Sequence, residues 1–380
     1  MSLTYGLLST YPPTACGLAT FTASLVDALR SIAGRDGECR VVQVVDRAGT
    51  RPPGVVAELV AGSGSSRLAA TRALNDTDVV IVQHEYGIFG GHDGDEVLAV
   101  LDHLTVPVIV VLHTVLVEPT AHQRAVLQDV VSAADVVVTM TKTARQRLAA
   151  GYAVDMAKVR VIPHGAHVAA AFGTRSLSPD IARPTILTWG LLGPGKGIEW
   201  GIDALALLRD IEPRPRYRIV GKTHPKVLES QGEAYRDSLQ ARAEELGVSA
   251  DVEFDATYLG VPALQDIVRD ATLVLLPYDS PDQITSGVLI EAVAAGKPVV
   301  STRFPHAVEL LANGVGLLVD HRDPADIAAA IELVLTDASL RTSMTSAAED
   351  LAPELAWPAV ARGYRAVAEQ LVSDRATAVA

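Results

Sequence analysis

Aromatic side chains make up only 4% of this chain, cysteine occurs twice, and no apolar run approaches a membrane span. With so few rings, any core must be built from Ala, Val, Leu and Ile in close packing. Two cysteines, Cys16 and Cys39, cannot form a disulfide framework, which points to a reducing compartment. The longest apolar stretches, such as residues 106–112 (VPVIVVL), are far below the roughly 20 residues that cross a bilayer. The opening residues, MSLTYG, hold no basic side chain of the kind that begins a secretory signal. Basic residues are in deficit as well, 32 against 45 acidic ones, a formal charge of −13. That field repels nucleic-acid phosphates and anionic lipid headgroups at long range, so neither nucleic acid nor strong membrane association is expected. A local basic pocket around one small phosphate ligand stays open, because a few placed donors outweigh a screened average. The expectation is a cytoplasmic, acidic, soluble protein.

What is present is aliphatic: 49% of 380 residues are hydrophobic and 20% charged, enough for two or three domains with cores of their own. Short β-branched runs at residues 78–82 (DVVIV), 106–112 and 134–139 (ADVVVT) read as buried parallel strands. Residues 18–30, 95–103 and 121–132 carry apolar positions at helical spacing. Alternating strands and helices predict an α/β chain with a doubly wound parallel sheet. Regularity is lost after residues 159–162, and 167–183 reads as a linker. Strands then return at 185–189, 216–220, 251–254, 271–276 and 298–301, so two α/β halves meet near residue 175. A last helix begins at Trp357-Pro358, where proline suits the first turn.

Ligands of doubly wound sheets bind beyond the carboxyl ends of the strands, so the residues after each strand matter most. In the first half these are residues 10–17 (TYPPTACG), 83–91 (QHEYGIFGG) and His113-Thr114. Gly17 opens a helix and either offers amides to an anion or simply makes a tight turn. His113 ends an apolar strand, as a satisfied polar group or a functional one. Asp93-Gly94-Asp95, a possible metal-binding Asp-x-Asp, lies before a helix where acids cap and complement the dipole, and capping is the favoured reading. With no His-Glu-x-x-His or Cys-x-x-Cys, no metal site is expected.

In the second half, residues 190–197 (GLLGPGKG) follow a strand and open a helix. Gly190-x4-Gly195-Lys196 has the skeleton of a phosphate loop, but Gly197 stands where a nucleotide triphosphatase needs Ser or Thr for magnesium. A lysine at a helix start remains, suited to a diphosphate. In residues 275–300, Ser286-Gly287 begins a helix, Glu291 follows one turn later, and Gly296-Lys297-Pro298 stops it. A carboxylate one turn into a helix can accept from a pair of hydroxyls, while amides at the helix start serve a phosphate or a sugar.

Taken together, the Gly17 loop, His113, Ile162-Pro163-His164-Gly165, Lys196-Gly197, Gly221, residues 283–291, Gly296-Lys297-Pro298 and the Gly314-x-Gly316-Leu317-Leu318-Val319 run resemble the retaining nucleotide-sugar glycosyltransferases of family 4. The resemblance covers essentially the whole chain, and it is the order and spacing that are specific. It implies the GT-B fold: two Rossmann-like domains facing across a cleft. Residues 1–175 would bind the acceptor and 176–356 the nucleotide-sugar donor, with the helix 357–380 returning to the first domain. By the same resemblance Lys196 holds the donor diphosphate, with Gly195 and Gly197 shaping its loop. Glu291 matches the second acid of an E-x7-E motif that binds the nucleotide ribose. His113 lies near the donor sugar, and Gly17 beneath the phosphates. Thr285, Ser286 and Gly287 would donate amides to sugar hydroxyls or phosphate, and His84 or Glu85, after Val82, would meet the acceptor.

Two positions depart from the family. The first acid of E-x7-E is Gln283, and the arginine five residues before the lysine is Leu191. Loss of that arginine removes charge that stabilises a leaving diphosphate, by a few kcal/mol. One subgroup is similar in pairing such a Gln with Ser-Gly and a Gly-x-Thr-His-Pro run, which Gly221-Lys222-Thr223-His224-Pro225 matches; Lys222 would then restore part of the charge. The expectation is metal-independent, cofactor-free transfer of a hexose, mannose or glucose, from a GDP- or UDP-sugar to a carbohydrate or other hydroxyl acceptor, with His113, Lys196 and Gln283 as catalytic residues. The alternative is a GT-B protein that binds nucleotide or glycan and has lost catalysis. An epimerase or a phosphorylase on the same fold fits less well.

Overall fold

Among the described residues the aliphatic runs become thirteen strands, every pair of neighbours parallel. A computed structural model describes residues 3–33, 38–168 and 183–379. It divides into two units, Met1–Gly165 with Trp357–Ala380, and Ala166–Ala356. The division thus falls after Gly165, while position 175 and most of the linker expected at 167–183 lie outside the described residues.

The first unit contains β1 (Thr4–Ser9), β2 (Glu38–Val45), β3 (Val55–Val60), β4 (Val79–His84), β5 (Val108–Leu112), β6 (Val136–Thr139) and β7 (Val159–Val161). They lie in the order β3-β2-β1-β4-β5-β6-β7. Every residue of β4 and β5 is buried, as expected for central strands covered on both faces. The outer β3 alternates buried with more exposed positions, so it has no continuous apolar run to announce it. The second unit contains β8 (Thr185–Trp189), β9 (Arg216–Val220), β10 (Val252–Asp255), β11 (Leu273–Leu276), β12 (Val299–Thr302) and β13 (Gly316–Val319). Their order is β10-β9-β8-β11-β12-β13. In each sheet the winding reverses once, between β1 and β4 and between β8 and β11. Loops leaving the carboxyl ends there splay apart and make the ligand crevice of such sheets.

One expected helix is shorter than its periodicity suggests. In place of a helix at 95–103 there is a 3-10 segment, His92–Val97, and a single turn, Leu98–Leu101. Asp93 and Gly94 have positive φ (52° and 76°) and break the helical path. The N-cap position is Gly91, which has no side chain to cap with, so Asp93 is not the capping residue its position suggests.

The last helix, Trp357–Val379, belongs to the first unit and packs along Gly17–Ala33. Trp357, Val360, Tyr364 and Ala368 join Leu7, Phe21, Leu25 and Ile81 in one core. The Trp357 indole meets the Phe21 ring edge-on at 5.1 Å and covers Gly165 closely, and Arg365 donates to the Ile32 carbonyl at 3.2 Å. In a chain so poor in rings, this aromatic group anchors the helix. Among the described residues no helix is long and apolar enough to cross a membrane.

Trp357→Ala should therefore lower the unfolding free energy by about 3–5 kcal/mol, the range for a buried large aromatic. Urea denaturation measures this, and Trp357→Phe should recover more than half of the loss. A cost below about 1 kcal/mol would show that the helix is held by other contacts.

Candidate functional site

In the first unit the adjoining ends of β4 and β5 build a polar wall. His113 follows β5, and its amide donates to the His84 carbonyl at 3.1 Å, extending the ladder by one bond. Its Nε2 lies 2.7 Å from Gln83 Oε1, which assigns the proton to Nε2 and leaves Nδ1 a lone pair. The Phe21 ring contacts it edge-on at 5.0 Å. Burial pushes the His113 imidazole down to about 3, helped by His164 and His84. His84 is pushed down to about 4 by burial alone. Both rings are neutral at physiological pH, so His113 can exchange hydrogen bonds with a hydroxyl without bringing charge.

His84 is the last residue of β4 rather than a loop residue, and it is 1% exposed. Neither of its ring nitrogens, nor the Gln83 amide nitrogen, has a partner among the described residues. Such groups are rare in folded interiors and concentrate where function needs them. His84 therefore lies within the wall, while half-buried Glu85 stands beyond it, accepting from the Thr114 hydroxyl and the Tyr86 amide. At the β1 end, the thiol of Cys16 accepts from the Ala19 amide at 3.4 Å, and Gly17 is exposed with open space where a Cβ would stand.

In the second unit the loop after β8 is tied to the loop after β11, across the point where the winding reverses. The Asp279 amide donates to the Gly195 carbonyl at 2.9 Å. Gly197 has a φ of 63°, and a Cβ there would stand 1.9 Å from the Pro277 carbonyl oxygen, so only glycine fits. Gly221, at the end of β9, has a φ of 142° and meets the Gly190 carbonyl equally closely. Between these contacts sits half-buried Lys196, its Nζ 4.4 Å from the centre of the Tyr278 ring. Tyr278 is buried and stacked on Phe304 at 5.3 Å, and its carbonyl accepts from Thr302 Oγ1 and His321 Nδ1. A fixed aromatic face holds the ammonium without neutralising it. Its charge remains available to an anion. Lys222 is exposed and contributes through its backbone, whose carbonyl accepts from Leu192.

The start of the helix Gly287–Ala294 corrects one expectation. Ser286 caps it, Oγ accepting from the Leu289 amide at 3.2 Å. The Ser286 amide, expected to serve a ligand, instead donates to His306 Nδ1 at 2.8 Å. Gln283 turns inward too, its amide donating to the Thr285 carbonyl at 3.0 Å, and the buried Thr285 hydroxyl has no partner among the described residues. Gly287 is the first residue of the helix. Glu291 already holds ligands of its own: the His167 amide at 3.2 Å and His167 Nδ1 at 3.0 Å. A donor ribose binding here would meet a carboxylate arranged for two N–H donors. Tyr278, His306 and His167 are the residues that sequence reading misses. Only Tyr278 carried a signal, a scarce aromatic directly after a strand.

The neutral histidines have a consequence for stability. Their ordinary value is 6.5, and the fold lowers it to about 3 and 4. Below pH 6.5 the unfolded chain binds protons that the folded chain refuses, so the stabilisation is complete above that pH and is lost as pH falls toward 4. Unfolding free energies measured by urea across this window should decline more steeply for the wild type than for His113→Gln. Equal slopes would show that His113 protonates within the fold.

Comparison with known proteins bears on what this site is. The family model described as Glycosyltransferase Family 4 matches residues 17–169, and the model described as Glycosyl transferases group 1 matches residues 175–351. The D-inositol 3-phosphate glycosyltransferases of Acidothermus cellulolyticus and Corynebacterium jeikeium are 32% and 31% identical over 259 and 264 residues, each match covering 66% of this chain. The chain spans less than two thirds of those relatives, 56% and 60% of their lengths. Among solved structures, Anabaena HepE in complex with UDP shares the fold at a TM-score of 0.73 and 19% identity, over 98% of this chain and all of that one. Sucrose-phosphate synthase from Thermosynechococcus elongatus matches at a TM-score of 0.72 and 18% identity, over 98% of this chain and 99% of that one. The two adjacent family models fall on the two doubly wound units, and the chain belongs to the family 4 glycosyltransferases of the GT-B fold.

Proposed function

We propose that the protein transfers a hexose, mannose or glucose, from a GDP- or UDP-sugar to a hydroxyl of a carbohydrate or other acceptor, with retention at the anomeric carbon. The observation that carries this reading is Lys196, held on the Tyr278 ring beside two backbone contacts that admit only glycine, where the second sheet reverses its winding. Relatives named as D-inositol 3-phosphate glycosyltransferases and a neighbour crystallised with UDP-glucose support it.

In the proposed reaction the bond from the anomeric carbon to the diphosphate breaks and a bond to the acceptor oxygen forms on the same face. The acceptor's proton passes to the departing diphosphate oxygen. The chain supplies no nucleophile, cofactor or metal to this step; it supplies position and charge. Lys196 offsets the charge that grows on the diphosphate, aided by Lys222 and the helix start at Ile198. Glu291 holds the ribose, Gln283 and the residues 285–287 border the sugar, and neutral His113 and Glu85 orient hydroxyls.

Transfer and hydrolysis over a panel of GDP- and UDP-sugars tests this. One donor should turn over, and Lys196→Ala should lower kcat/KM by about 10²–10³ while leaving urea stability unchanged. Calorimetric binding of a nucleotide sugar with no turnover would favour the binding-protein reading, to which Gln283 and Leu191 point. Neither binding nor turnover would defeat both.

A further inference from the structure

The first unit brings three potential metal ligands from two separate segments to one point. His92 and Asp93 open the 3-10 segment after β4, and His122 lies in the first turn of the helix Ala121–Ala133 after β5. His92 Nδ1 is 2.9 Å from His122 Nδ1, His122 Nδ1 is 3.0 Å from Asp93 Oδ2, and His92 Nδ1 is 3.5 Å from the same oxygen. Ligand atoms of a tetrahedral zinc ion lie about 3.3 Å apart when each bond is about 2.0–2.1 Å. A point just above this triangle is therefore about 2 Å from all three atoms, at ordinary bonding distance.

Hydrogen bonding alone satisfies the cluster poorly. A proton on His122 Nδ1 can serve Asp93 or His92 well but not both, so one edge of the triangle sets lone pair against lone pair. A central cation satisfies all three. The surroundings are those of an ordered metal shell. Gln123 Nε2 donates at 3.2 Å to Asp93 Oδ1, the oxygen facing away from the cluster. The same Gln123 accepts from the Thr120 amide at 3.0 Å, which holds it in place. Asp95 Oδ2 stands 3.6 Å from His122 Nε2, the other ring nitrogen. Asp93 and Asp95 together carry the two negative charges that balance a divalent ion at a helix start. Asp93 is one of two non-glycine residues with positive φ among those described, a strained backbone held at the ligand itself. His92 is 74% exposed, leaving a fourth position open to water.

We infer that His92, Asp93 and His122 bind one divalent transition-metal ion of the zinc class. Two imidazoles and a carboxylate suit zinc, nickel or copper, and select against magnesium and calcium, which favour all-oxygen sites. Bound there, the ion would join the crossover that begins with Glu85 to the one that begins with His113, stiffening two loops of the polar wall. Sequence inspection shows no such motif because its ligands come from segments about thirty residues apart.

The test uses untagged, full-length protein stripped with a chelator, titrated near neutral pH with Zn²⁺ against a chromophoric competitor. One ion per chain should bind, unaffected by millimolar Mg²⁺ or Ca²⁺. His92→Ala and His122→Ala should each weaken binding at least tenfold, and Asp95→Asn by a smaller factor. Zn²⁺ should raise the Tm of the wild type and leave that of His122→Ala unmoved. Circular dichroism confirms that the variants fold. The inference is overturned if no saturable binding tighter than about 100 µM appears, or if a His92→Ala/His122→Ala double variant binds as the wild type does.

Discussion

The second unit depends on the close approach of backbone to backbone where its winding reverses. A Cβ on Gly197 would enter the Pro277 carbonyl, and one on Gly221 the Gly190 carbonyl. Only with both glycines can the loops after β8, β9 and β11 pack so tightly. The packing sets Lys196 over Tyr278, and the buried stack of Tyr278 on Phe304 keeps that platform still. The cation is held by a ring rather than by a carboxylate, so it is positioned while its charge stays available. The same constraint shapes the anion site of many doubly wound sheets, where close backbone approach and a helix start do together what a cluster of side chains would do elsewhere.

The first unit relies on dryness instead of charge. Gln83, His84 and His113 lie at the ends of two fully buried strands, and burial keeps both imidazoles neutral. A neutral His113 fixed by Gln83 suits the sorting of hydroxyl groups, which present dipoles and no charge. The last helix supports this wall from behind. Phe21 touches both Trp357 and His113, so one ring links the anchor of that helix to the polar face.

Much of the architecture was readable because central parallel strands are buried on both faces and appear as unbroken aliphatic runs. Residues 78–82, 106–112 and 134–139 correspond to β4, β5 and β6 within two residues at either end. β1, β2 and β3 were not singled out: the outer β3 alternates in burial and its local pattern is diluted, whereas β1 is an inner, buried strand whose run TYGLLS lacks the β-branched residues that mark β4, β5 and β6. The helix expected at 95–103 is instead a 3-10 segment and a single turn, preceded by left-handed backbone at Asp93 and Gly94, where His122 and Gln123 of the helix Ala121–Ala133 hold the Asp93 carboxylate. The glycine positions were legible for a related reason, since a turn that needs positive φ writes itself into the residue type, and Lys196 stands between two such glycines, Gly195 and Gly197.

Sequence by itself determined the two α/β halves, the strand ends beyond which ligands of such sheets bind, and the lysine, glycines and acid that stand there, since each follows from neighbours a few residues away. Tertiary structure alone decided which of those groups are free and in what state. The Ser286 amide is taken by His306, 20 residues on, and the Glu291 carboxylate by His167, 124 residues back. His84 and His113 lose their charge to burial that no local pattern records. The physical reason is the same throughout: secondary structure is chosen by local torsions and burial patterns, whereas hydrogen-bond partners and proton affinities depend on whatever the folded chain brings within about 3 Å.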